Sequence, residues 1–504
     1  MMLRLTTLLV PLFVVLQLCS GASPVHGDVP APGSLIQSSV SYDLLKKGPK
    51  GSKLYNVVGE TVYEDAIQLI DLTAATSFDQ GYDMGFLLGA ASIENYDAVV
   101  AYLLGDEWWV PPVAKAMNKF LDWQWDNYLS KEVPLEYLDE IKGLTAGGKA
   151  ARVRGDVGLT ASRVTVIANF PGSLENLKYI FQDEKAHPPS NETVGAEPDE
   201  VEVWGALHKM QTKWKGLSCS MFGVWGSRTE GGRTFTGRNL DWLADMGISK
   251  YKLVTVFHPP NGHAHATVGW AGIWGAITGM SSQGLSVHEA NLESNTISFR
   301  GFPWVLRLRH VMAYAGNINE VLSVWNATTN TVGFNHGVGS DADNQAVLME
   351  TSFGNTAVFG ANDPREQDLI YKDQQIAAPR TEAVYRTNHG YDPVTIEHYM
   401  WNNTGAYDNS IERYLMFPEI FDDYTAAKTP ISVAQAVNVT ALIGEKGDGH
   451  MYDCAPPRGG SNILSVTFDL HKRSMYAAWE NGHADEWSPA ACNTYVKFDL
   501  TQFF

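Results

Sequence analysis

The chain has 504 residues, of which 44% are hydrophobic and 18% are charged, and its formal net charge is −19 at pH 7. This is the composition of a globular protein long enough for a sizeable core and for more than one domain. The negative charge argues against nucleic acid as a partner, because nucleic-acid recognition requires basic surfaces.

The N-terminus carries the features of a secretory signal. Arg4 precedes an apolar run over residues 8–18, and small residues follow at positions 20–22. This pattern predicts a signal peptide over residues 1–22, since the run is too short to cross a bilayer comfortably. The other uncharged stretch, residues 266–287, contains five glycines and favours two buried strands joined by a turn. No transmembrane segment is therefore predicted, and the mature protein is expected to be soluble.

The first half of the chain after the signal is predicted to be mainly helical. Residues 60–185 are predicted to be largely helical, and within them residues 95–129 carry apolar residues at helical spacing, interrupted at the prolines of positions 111–112. A further helix is predicted to begin at Pro134, because proline suits the first turn of a helix. Residues 186–200 are rich in proline, serine and acidic residues and predict an exposed loop, and residues 201–215 form a second amphipathic segment.

From residue 219 onward the pattern changes to short runs of strand-forming residues separated by turns. Helical patterns interrupt these runs near residues 304–314 and 433–443. Strand runs with a few covering helices predict an α+β fold with stacked antiparallel sheets.

Sequons for N-glycosylation occur four times, and in a secretory chain they mark candidate surface positions. They lie at Asn191, Asn326, Asn402 and Asn438.

The cysteines leave one thiol without an obvious partner. Cys19 is removed with the predicted signal peptide, and Cys219, Cys454 and Cys492 remain. Cys454 and Cys492 are close in sequence and can form a disulfide in an oxidising compartment. Cys219 is then either a buried inert side chain, which is common for a single cysteine, or a reactive nucleophile.

A nucleophilic cysteine needs a base, and no histidine near Cys219 forms a recognisable catalytic signature. If the chain is cut before Cys219, the new α-amine supplies that base, because it titrates at about pH 7.7–8. The small, flexible residues at 216–218 allow Cys219 to attack the Ser218 carbonyl by an N-to-S acyl shift. A nearby cation, Arg238, is expected to favour the thiolate.

The residues around this thiol resemble the N-terminal-nucleophile cysteine hydrolases. The matching stretches are Cys219-Ser-Met-Phe and Gly-Arg-Asn-Leu-Asp-Trp at 237–242. This superfamily includes acid ceramidases, N-acylethanolamine-hydrolysing acid amidases, penicillin V acylases, bile salt hydrolases and the penicillin acyltransferase group. In its members the cysteine opens the mature catalytic chain after a precursor is cleaved.

Further segments resemble the superfamily in the expected order. A glycine-leucine strand ends at Asn291, a threonine-asparagine pair precedes His389, and a Ser-x-x-Arg occupies 410–413. Residues 81–89 and 134–148 resemble the pro-region of the acyltransferase-like branch. The chain departs from many relatives in having serine after the cysteine, a longer cysteine-to-arginine spacing and a long pro-region that does not closely match the ceramidases.

The resemblance implies specific roles for these residues. Cys219 would be the nucleophile, Arg238 would lie beside its sulfur, and Asp241 would hold the α-amine. The same resemblance implies that further polar side chains bind the tetrahedral oxygen or complete the site, namely Asn291, Asn388 and Arg413. It also implies that tryptophans line a cleft for the acyl chain, namely Trp242, Trp270 and Trp274.

Each role has a structural alternative. Arg238 and Asp241 alone would suggest an ion pair near a hairpin. The two asparagines would satisfy buried backbone groups, Arg413 would form a surface salt bridge, and the tryptophans would be core residues.

Two polar clusters were tested as metal sites. His258, His263 and His265 flank a turn, but their spacing fits no standard metal site. Asp341 and Asp343 resemble the start of a calcium loop that lacks the glycine and the distal glutamate, so a turn between strands is predicted. No cofactor or metal is predicted.

Together these observations predict a secreted or lysosomal amidohydrolase made as an inactive precursor. The resemblance implies a four-layer αββα catalytic domain over 219–504, preceded by a helix-rich N-terminal chain over 23–218 that stays associated after cleavage. The expected substrate is a linear N-acyl amide, with lipid amides such as ceramide or N-acylethanolamine favoured. The alternatives are an acyltransferase that passes the acyl group to an amine, and a catalytically inactive secreted binding protein of the same fold.

Overall fold

The computed structural model describes residues 31–60, 63–104, 111–190, 192–211, 218–367, 370–371, 374–400, 406–444, 452, 454–455 and 459–504. The predicted signal peptide and the sequons at Asn191 and Asn402 lie outside the described residues.

Strands are distributed over the whole described chain. They are β1 (Ile36–Gln37), β2 (Ser41–Lys47), β3 (Lys53–Val58), β4 (Gln68–Leu72), β5 (Ser218–Val224), β6 (Phe235–Asp241), β7 (Lys252–Phe257), β8 (His265–Trp270), β9 (Thr278–Ser281), β10 (Leu285–Asn291), β11 (Phe334–Ser340), β12 (Gln345–Ser352), β13 (Asn355–Phe359), β14 (Ile370–Tyr371), β15 (Gln374–Gln375), β16 (Ala383–Arg386), β17 (Asn462–Asp469), β18 (Ser474–Trp479) and β19 (Tyr495–Asp499).

Helices dominate the N-terminal part and cover the strands in the C-terminal part. They are α1 (Ser77–Leu104), α2 (Pro111–Asn127), α3 (Leu135–Ala150), α4 (Val157–Ala168), α5 (Leu177–Ala186), α6 (Glu200–Gln211), α7 (Trp304–Tyr314), α8 (Ile318–Asn326), α9 (Pro393–His398), α10 (Ala406–Ala426) and α11 (Val433–Leu442).

Two large sheets face each other at the centre of the molecule. The seven-stranded sheet has the order β1-β19-β18-β17-β6-β5-β16, and the ten-stranded sheet has the order β13-β12-β11-β10-β9-β8-β7-β4-β3-β2. Side chains of the two sheets meet, as at Thr236 and Ser286, whose hydroxyl oxygens lie 2.9 Å apart. Helices α10 and α11 pack on the seven-stranded sheet, and α7 and α8 on the ten-stranded one. The predicted four-layer αββα arrangement is confirmed.

The N-terminal region adds strands as well as helices to this core. Strand β4 pairs in parallel with β7, and β2 and β3 extend the ten-stranded sheet from there. Strand β1 pairs in parallel with β19 at the edge of the other sheet. The helical prediction is wrong at β4, because its apolar residues are buried by pairing with a strand that is distant in sequence.

Glycines allow α1 and α3 to pack with their backbones in contact. A Cβ on Gly81 would overlap the carbonyl oxygen of Glu140, and one on Gly143 would overlap that of Phe78. This packing explains the glycines in the two segments, 81–89 and 134–148, that resemble a pro-region.

Several local predictions are confirmed. Helix α7 has the predicted bounds, and α11 matches the pattern over 433–443. The turn at 341–344 joins β11 to β12. The stretch 266–287 contributes to three strands rather than two, because residues 278–281 form the short strand β9 between β8 and β10.

The predicted disulfide between Cys454 and Cys492 is formed. Asn326 is exposed at the end of α8, whereas Asn438 is half-buried and its side chain donates to the carbonyl oxygen of Pro32 at 2.8 Å. Among the described residues, no helix combines the length and the apolar character needed to cross a membrane.

Candidate active site

The hairpin of β5 and β6 brings three of the predicted residues together. Cys219 lies opposite Leu240, and Ser218 lies opposite Asp241. Arg238 is two residues before Leu240, so its side chain points to the same face as the cysteine. The hairpin tip over 225–234 accommodates the longer cysteine-to-arginine spacing. Cys219, Arg238 and Asp241 are all fully buried.

The sulfur of Cys219 is contacted by Arg238, which is itself paired with a carboxylate. Arg238 Nη2 lies 3.5 Å from Cys219 Sγ and also donates to Glu289 Oε1, and Nε donates to the Glu289 carbonyl oxygen. Glu289 lies on β10 of the facing sheet, so this ion pair bridges the two sheets. We call Cys219 Sγ, Arg238 and Glu289 the thiol side of the site.

The environment of Cys219 holds its thiol protonated. Burial raises the pKa of Cys219 well above its ordinary value, the Glu289 carboxylate raises it further, and Arg238 only partly opposes these effects. Arg238 acts in the expected direction, because its charge lowers the Cys219 pKa, but burial and the Glu289 carboxylate outweigh it.

The peptide bonds of Cys219 are held by a second set of residues. The Cys219 amide donates to Asn388 Oδ1 at 2.8 Å, and Arg413 Nη1 donates to the Cys219 carbonyl oxygen at 2.5 Å. Arg413 Nη2 also donates to Ser218 Oγ at 2.9 Å and to Asn388 Oδ1 at 2.8 Å. Arg413 is buried rather than a surface residue. We call Ser218, the Cys219 backbone, Asn388 and Arg413 the peptide side.

Asn388 is fixed by a buried polar network that joins two segments noted in the sequence, the one before His389 and the Ser-x-x-Arg at 410–413. Its backbone amide donates to Ser410 Oγ at 2.7 Å, and its side-chain Nδ2 donates to the carbonyl oxygen of Asn291 at 2.9 Å. Ser410 Oγ also lies 2.8 Å from His389 Nδ1. Burial, with the charges of Arg386 and Arg413, lowers the pKa of His389 well below its ordinary value. The imidazole is thus a neutral hydrogen-bonding group within this network.

Asp241 and Asn291 occupy the ends of their strands. Asp241 Oδ1 accepts from Asn462 Nδ2 at 2.8 Å on β17. Asn291 is buried at the end of β10, and its side-chain nitrogen lies where a Cβ on Gly172 would overlap it. The loop after α4 therefore closes against Asn291, and the N-terminal region reaches the site directly.

An apolar cavity of about 130 Å³ lies beside these residues. Glu289 is the charged residue among its lining side chains, and Leu240, opposite Cys219, forms part of its wall. The N-terminal helices α1 and α4 supply the other side through residues such as Tyr96 and Val164. All three tryptophans predicted for an acyl-chain cleft line this cavity, namely Trp242, Trp270 and Trp274.

One of these tryptophans is held by an ion pair between the two halves of the chain. Trp274 Nε1 donates to Glu140 Oε2 at 2.7 Å. Glu140 of α3 accepts two hydrogen bonds from Arg309 of α7, at 2.6 and 2.7 Å, and both side chains are buried.

Some residues of the site could have been found from the sequence. Glu289 is a carboxylate within an otherwise buried strand pattern, and Ser410 belongs to the Ser-x-x-Arg segment. Glu140 and Arg309 carry no local signal, because their pairing depends on the packing of α3 against α7. Across the described ranges, no group of three or more His, Cys, Asp or Glu side chains is arranged to hold a metal ion.

A family model described as acyl-coenzyme A:6-aminopenicillanic acid acyl-transferase matches residues 227–484, about half of the chain. The match begins downstream of Cys219 and spans the other five predicted polar site residues. They are Arg238, Asp241, Asn291, Asn388 and Arg413.

Curated relatives and solved structures show partial similarity. Protein dcd1B of Dictyostelium discoideum is 31% identical over 292 residues, covering 57% of this chain and 52% of the relative. The chain thus spans about half the length, or less, of the curated relatives it matches. A conjugated bile acid hydrolase mutant from Clostridium perfringens aligns with 12% identity and a TM-score of 0.37, covering 56% of this chain and 93% of that one. The Caenorhabditis elegans ortholog of N-acylethanolamine-hydrolyzing acid amidase aligns with 14% identity and a TM-score of 0.32, covering 50% and 93%.

Proposed function

Because the chain belongs to the acyl-coenzyme A:6-aminopenicillanic acid acyl-transferase family, we propose that it is a self-processing cysteine amidohydrolase. In this proposal the precursor is cut between Ser218 and Cys219, and the new N-terminal cysteine hydrolyses linear N-acyl amides. The observation that carries it is the placement of one buried thiol between two anchoring arginines and beside an apolar cavity.

The cleavage step begins with the bond between Ser218 and Cys219. The sulfur adds to the Ser218 carbonyl carbon, the thiol proton goes to the Cys219 nitrogen, and the carbon–nitrogen bond breaks. This leaves a thioester and a free α-amine, and water then hydrolyses the thioester to a Ser218 carboxylate and a free thiol. The hydrogen bonds of Arg413 to both residues fix the geometry of the bond that breaks.

The same groups would serve substrate hydrolysis. The α-amine is the nitrogen that now donates to Asn388 Oδ1, and as a free amine it would take the thiol proton and pass it to the leaving nitrogen. Asp241, opposite Ser218 on the hairpin, would hold that amine. The Asn388 and Asn291 side chains would donate to the tetrahedral oxygen, and one such donor is worth about 3–4 kcal/mol.

The cavity supports a lipid-like acyl chain as the substrate group. Its wall is almost wholly apolar, with four tryptophans and aliphatic side chains from both halves of the chain. Burial of an acyl chain there would contribute about 0.8 kcal/mol for each CH₂ group. Amides with longer acyl chains should therefore be better substrates until the cavity is filled.

The two chains would remain associated after cleavage, and the route would be secretory. Strand β4 lies within the ten-stranded sheet, and the buried Glu140–Arg309 pair joins α3 to α7. Separation would expose these groups. The Cys454–Cys492 disulfide suits an oxidising compartment, as does the signal peptide expected over residues 1–22. We favour secretion or delivery to the lysosome.

The proposal is tested by incubating the purified protein with N-acyl amides of short, medium and long acyl chains. Release of free acid that increases with chain length, and is absent from Cys219→Ala, would support an acyl-amide hydrolase. Release by Cys219→Ala at the wild-type rate would contradict it.

An acyltransferase is the second candidate, favoured by the description of the family whose model matches. The same incubation with added primary-amine acceptors separates the two activities. Capture of most of the acyl group by the amine, in competition with bulk water, would show transfer, whereas free acid as the main product would show hydrolysis.

A further inference from the structure

A second cavity, of about 330 Å³, lies within the helical N-terminal region. It is lined by residues of α2, α5 and the start of α6, and by Pro188, Pro189, Thr193, Glu197 and Pro198 between α5 and α6. It shares no lining residue with the cavity beside Cys219. The two cavities are therefore separate, and the proposed amide chemistry does not use this one.

Aromatic side chains form much of its wall. Phe120, Trp123, Tyr128 and Phe181 all line the cavity. Phe120 and Phe181 have ring centroids 5.7 Å apart, and Trp123 and Tyr128 meet edge to face at 5.3 Å. Such rings present electron-rich faces, which attract ammonium groups.

A carboxyl group without a counter-ion faces the same space. Glu184 is only 7% exposed, and its Oε2 accepts from Gln124 Nε2 at 3.2 Å. Its Oε1 has no hydrogen-bond partner, and Glu184 forms no ion pair, within the part of the chain that the structure describes. The nearby Arg300 is engaged by Asp183 at 2.7 Å instead.

The other charged lining groups do not balance Glu184. Lys185 pairs with Glu200 at 3.4 Å on the exposed rim, and Glu197 adds another carboxylate. The lining thus combines more carboxyl groups than cations with aromatic walls. Trp123 Nε1 and Tyr128 Oη also lack hydrogen-bond partners among the described residues.

We infer that this cavity binds a small organic ammonium ion, with its charge beside Glu184 and its carbon groups against the aromatic rings. Buried carboxylates are stable when they are paired, so a ligand cation would supply what the chain lacks. The inference does not depend on the proposed amidase function.

Binding of a cation beside Glu184 should change the protonation of its side chain. Burial raises the pKa of Glu184 to about 8; the hydrogen bond from Gln124 opposes this, and the Asp183 and Glu197 carboxylates add to it. Without a ligand, the Glu184 side chain is therefore mainly protonated, and so neutral, at pH 7. A bound cation favours the ionised form, so binding at pH 7 should release a proton.

The test is calorimetric titration of the purified full-length protein with choline chloride at constant ionic strength. The matched control ligand is the neutral analogue of choline in which a tert-butyl group replaces the trimethylammonium group. We expect saturable choline binding, at least about tenfold weaker binding of the neutral analogue, and a heat that varies with the ionisation enthalpy of the buffer.

Variants locate the site. Glu184→Gln keeps the shape of the side chain and should weaken choline binding by about tenfold or more, whereas Glu200→Gln, on the compensated rim, should leave it within about twofold. Absence of saturable choline binding, or equal binding of the two ligands by the wild-type protein, would overturn the inference and leave a cavity filled by water. The ligand comparison decides this even if Glu184→Gln fails to fold.

Discussion

Arg238 and Arg413 both contact Cys219, but they differ in what balances their charge. Arg238, on the thiol side, is paired with the buried carboxylate of Glu289. Arg413, on the peptide side, donates to neutral oxygens, including those of Cys219, Ser218 and Asn388. The charge of Arg238 is therefore balanced by a carboxylate, whereas that of Arg413 is solvated by neutral oxygens.

The two sides would therefore have different roles in the proposed precursor. The neutralised thiol side keeps the sulfur protonated, since burial and Glu289 both raise the Cys219 pKa. The peptide side retains a cation that is not paired with a carboxylate among the described residues, next to the bond that is proposed to break. A buried charge with neutral partners is free to stabilise negative charge that develops during the reaction.

The largest expected effect comes from breaking the pair on the thiol side. Arg238→Met leaves Glu289 buried without a counter-ion and should lower the free energy of unfolding by about 3–5 kcal/mol. The double variant with Glu289→Gln should recover most of this loss, because no buried charge remains. Urea unfolding of the single and double variants measures both values.

Arg413→Met is the matched change on the peptide side. It removes a cation whose partners are neutral, so the loss of stability should be smaller than for Arg238→Met. If the two single variants were equally destabilised, the contrast between the two sides would be wrong.

The next largest effect concerns catalysis on the peptide side. Asn388→Ala removes the acceptor of the Cys219 amide and a proposed oxyanion donor, so the rate of amide hydrolysis should fall by about 10²–10³-fold. Asn330→Ala serves as a control, because Asn330 is a buried asparagine bonded to Arg307 and not to Cys219. Steady-state assays of both variants give the comparison, and an equal loss in each would point to general destabilisation.

A smaller effect tests the role of Glu289 on the thiol. Glu289→Gln removes the carboxylate that neutralises Arg238, so the Cys219 pKa should fall. The ultraviolet absorbance of the thiolate, followed against pH with Cys219→Ala as the blank, measures this shift. Glu480→Gln, another buried carboxyl group, should leave the thiol titration unchanged.

A further effect develops only at acid pH and concerns the buried histidine His288. Burial, together with Arg238, lowers the pKa of His288 on β10 to about 3. The unfolded chain binds a proton at His288 below about pH 6.5, whereas the folded chain does not until about pH 3. Stability should therefore decrease as the pH falls through this window, by about 1.4 kcal/mol per pH unit for each such histidine.

His288→Gln should flatten this dependence, and the exposed His471→Gln should not. Urea midpoints measured across the pH range provide the test. An unchanged slope in His288→Gln would show that this histidine is not held neutral.

Sequence analysis predicted the αββα fold and the positions of the site residues better than it predicted their electrostatics. The spacing of Cys219, Arg238 and Asp241 is local to one hairpin, so a motif can reveal it. The pairing of Arg238 with Glu289 joins two sheets, and that of Glu140 with Arg309 joins distant helices. Such contacts arise only from packing, which is also why β4 was predicted as helix.

We propose above that Cys219 becomes an N-terminal nucleophile by self-cleavage. Intact-mass spectrometry and N-terminal sequencing of the purified protein, beside Cys219→Ala and the neighbouring control Ser220→Ala, test it directly. We expect a chain that begins at Cys219 in the wild type and in Ser220→Ala, and an uncut chain in Cys219→Ala. A single uncut chain in the wild type, even after incubation at acidic pH, would contradict the account and would favour a non-catalytic binding protein of the same fold.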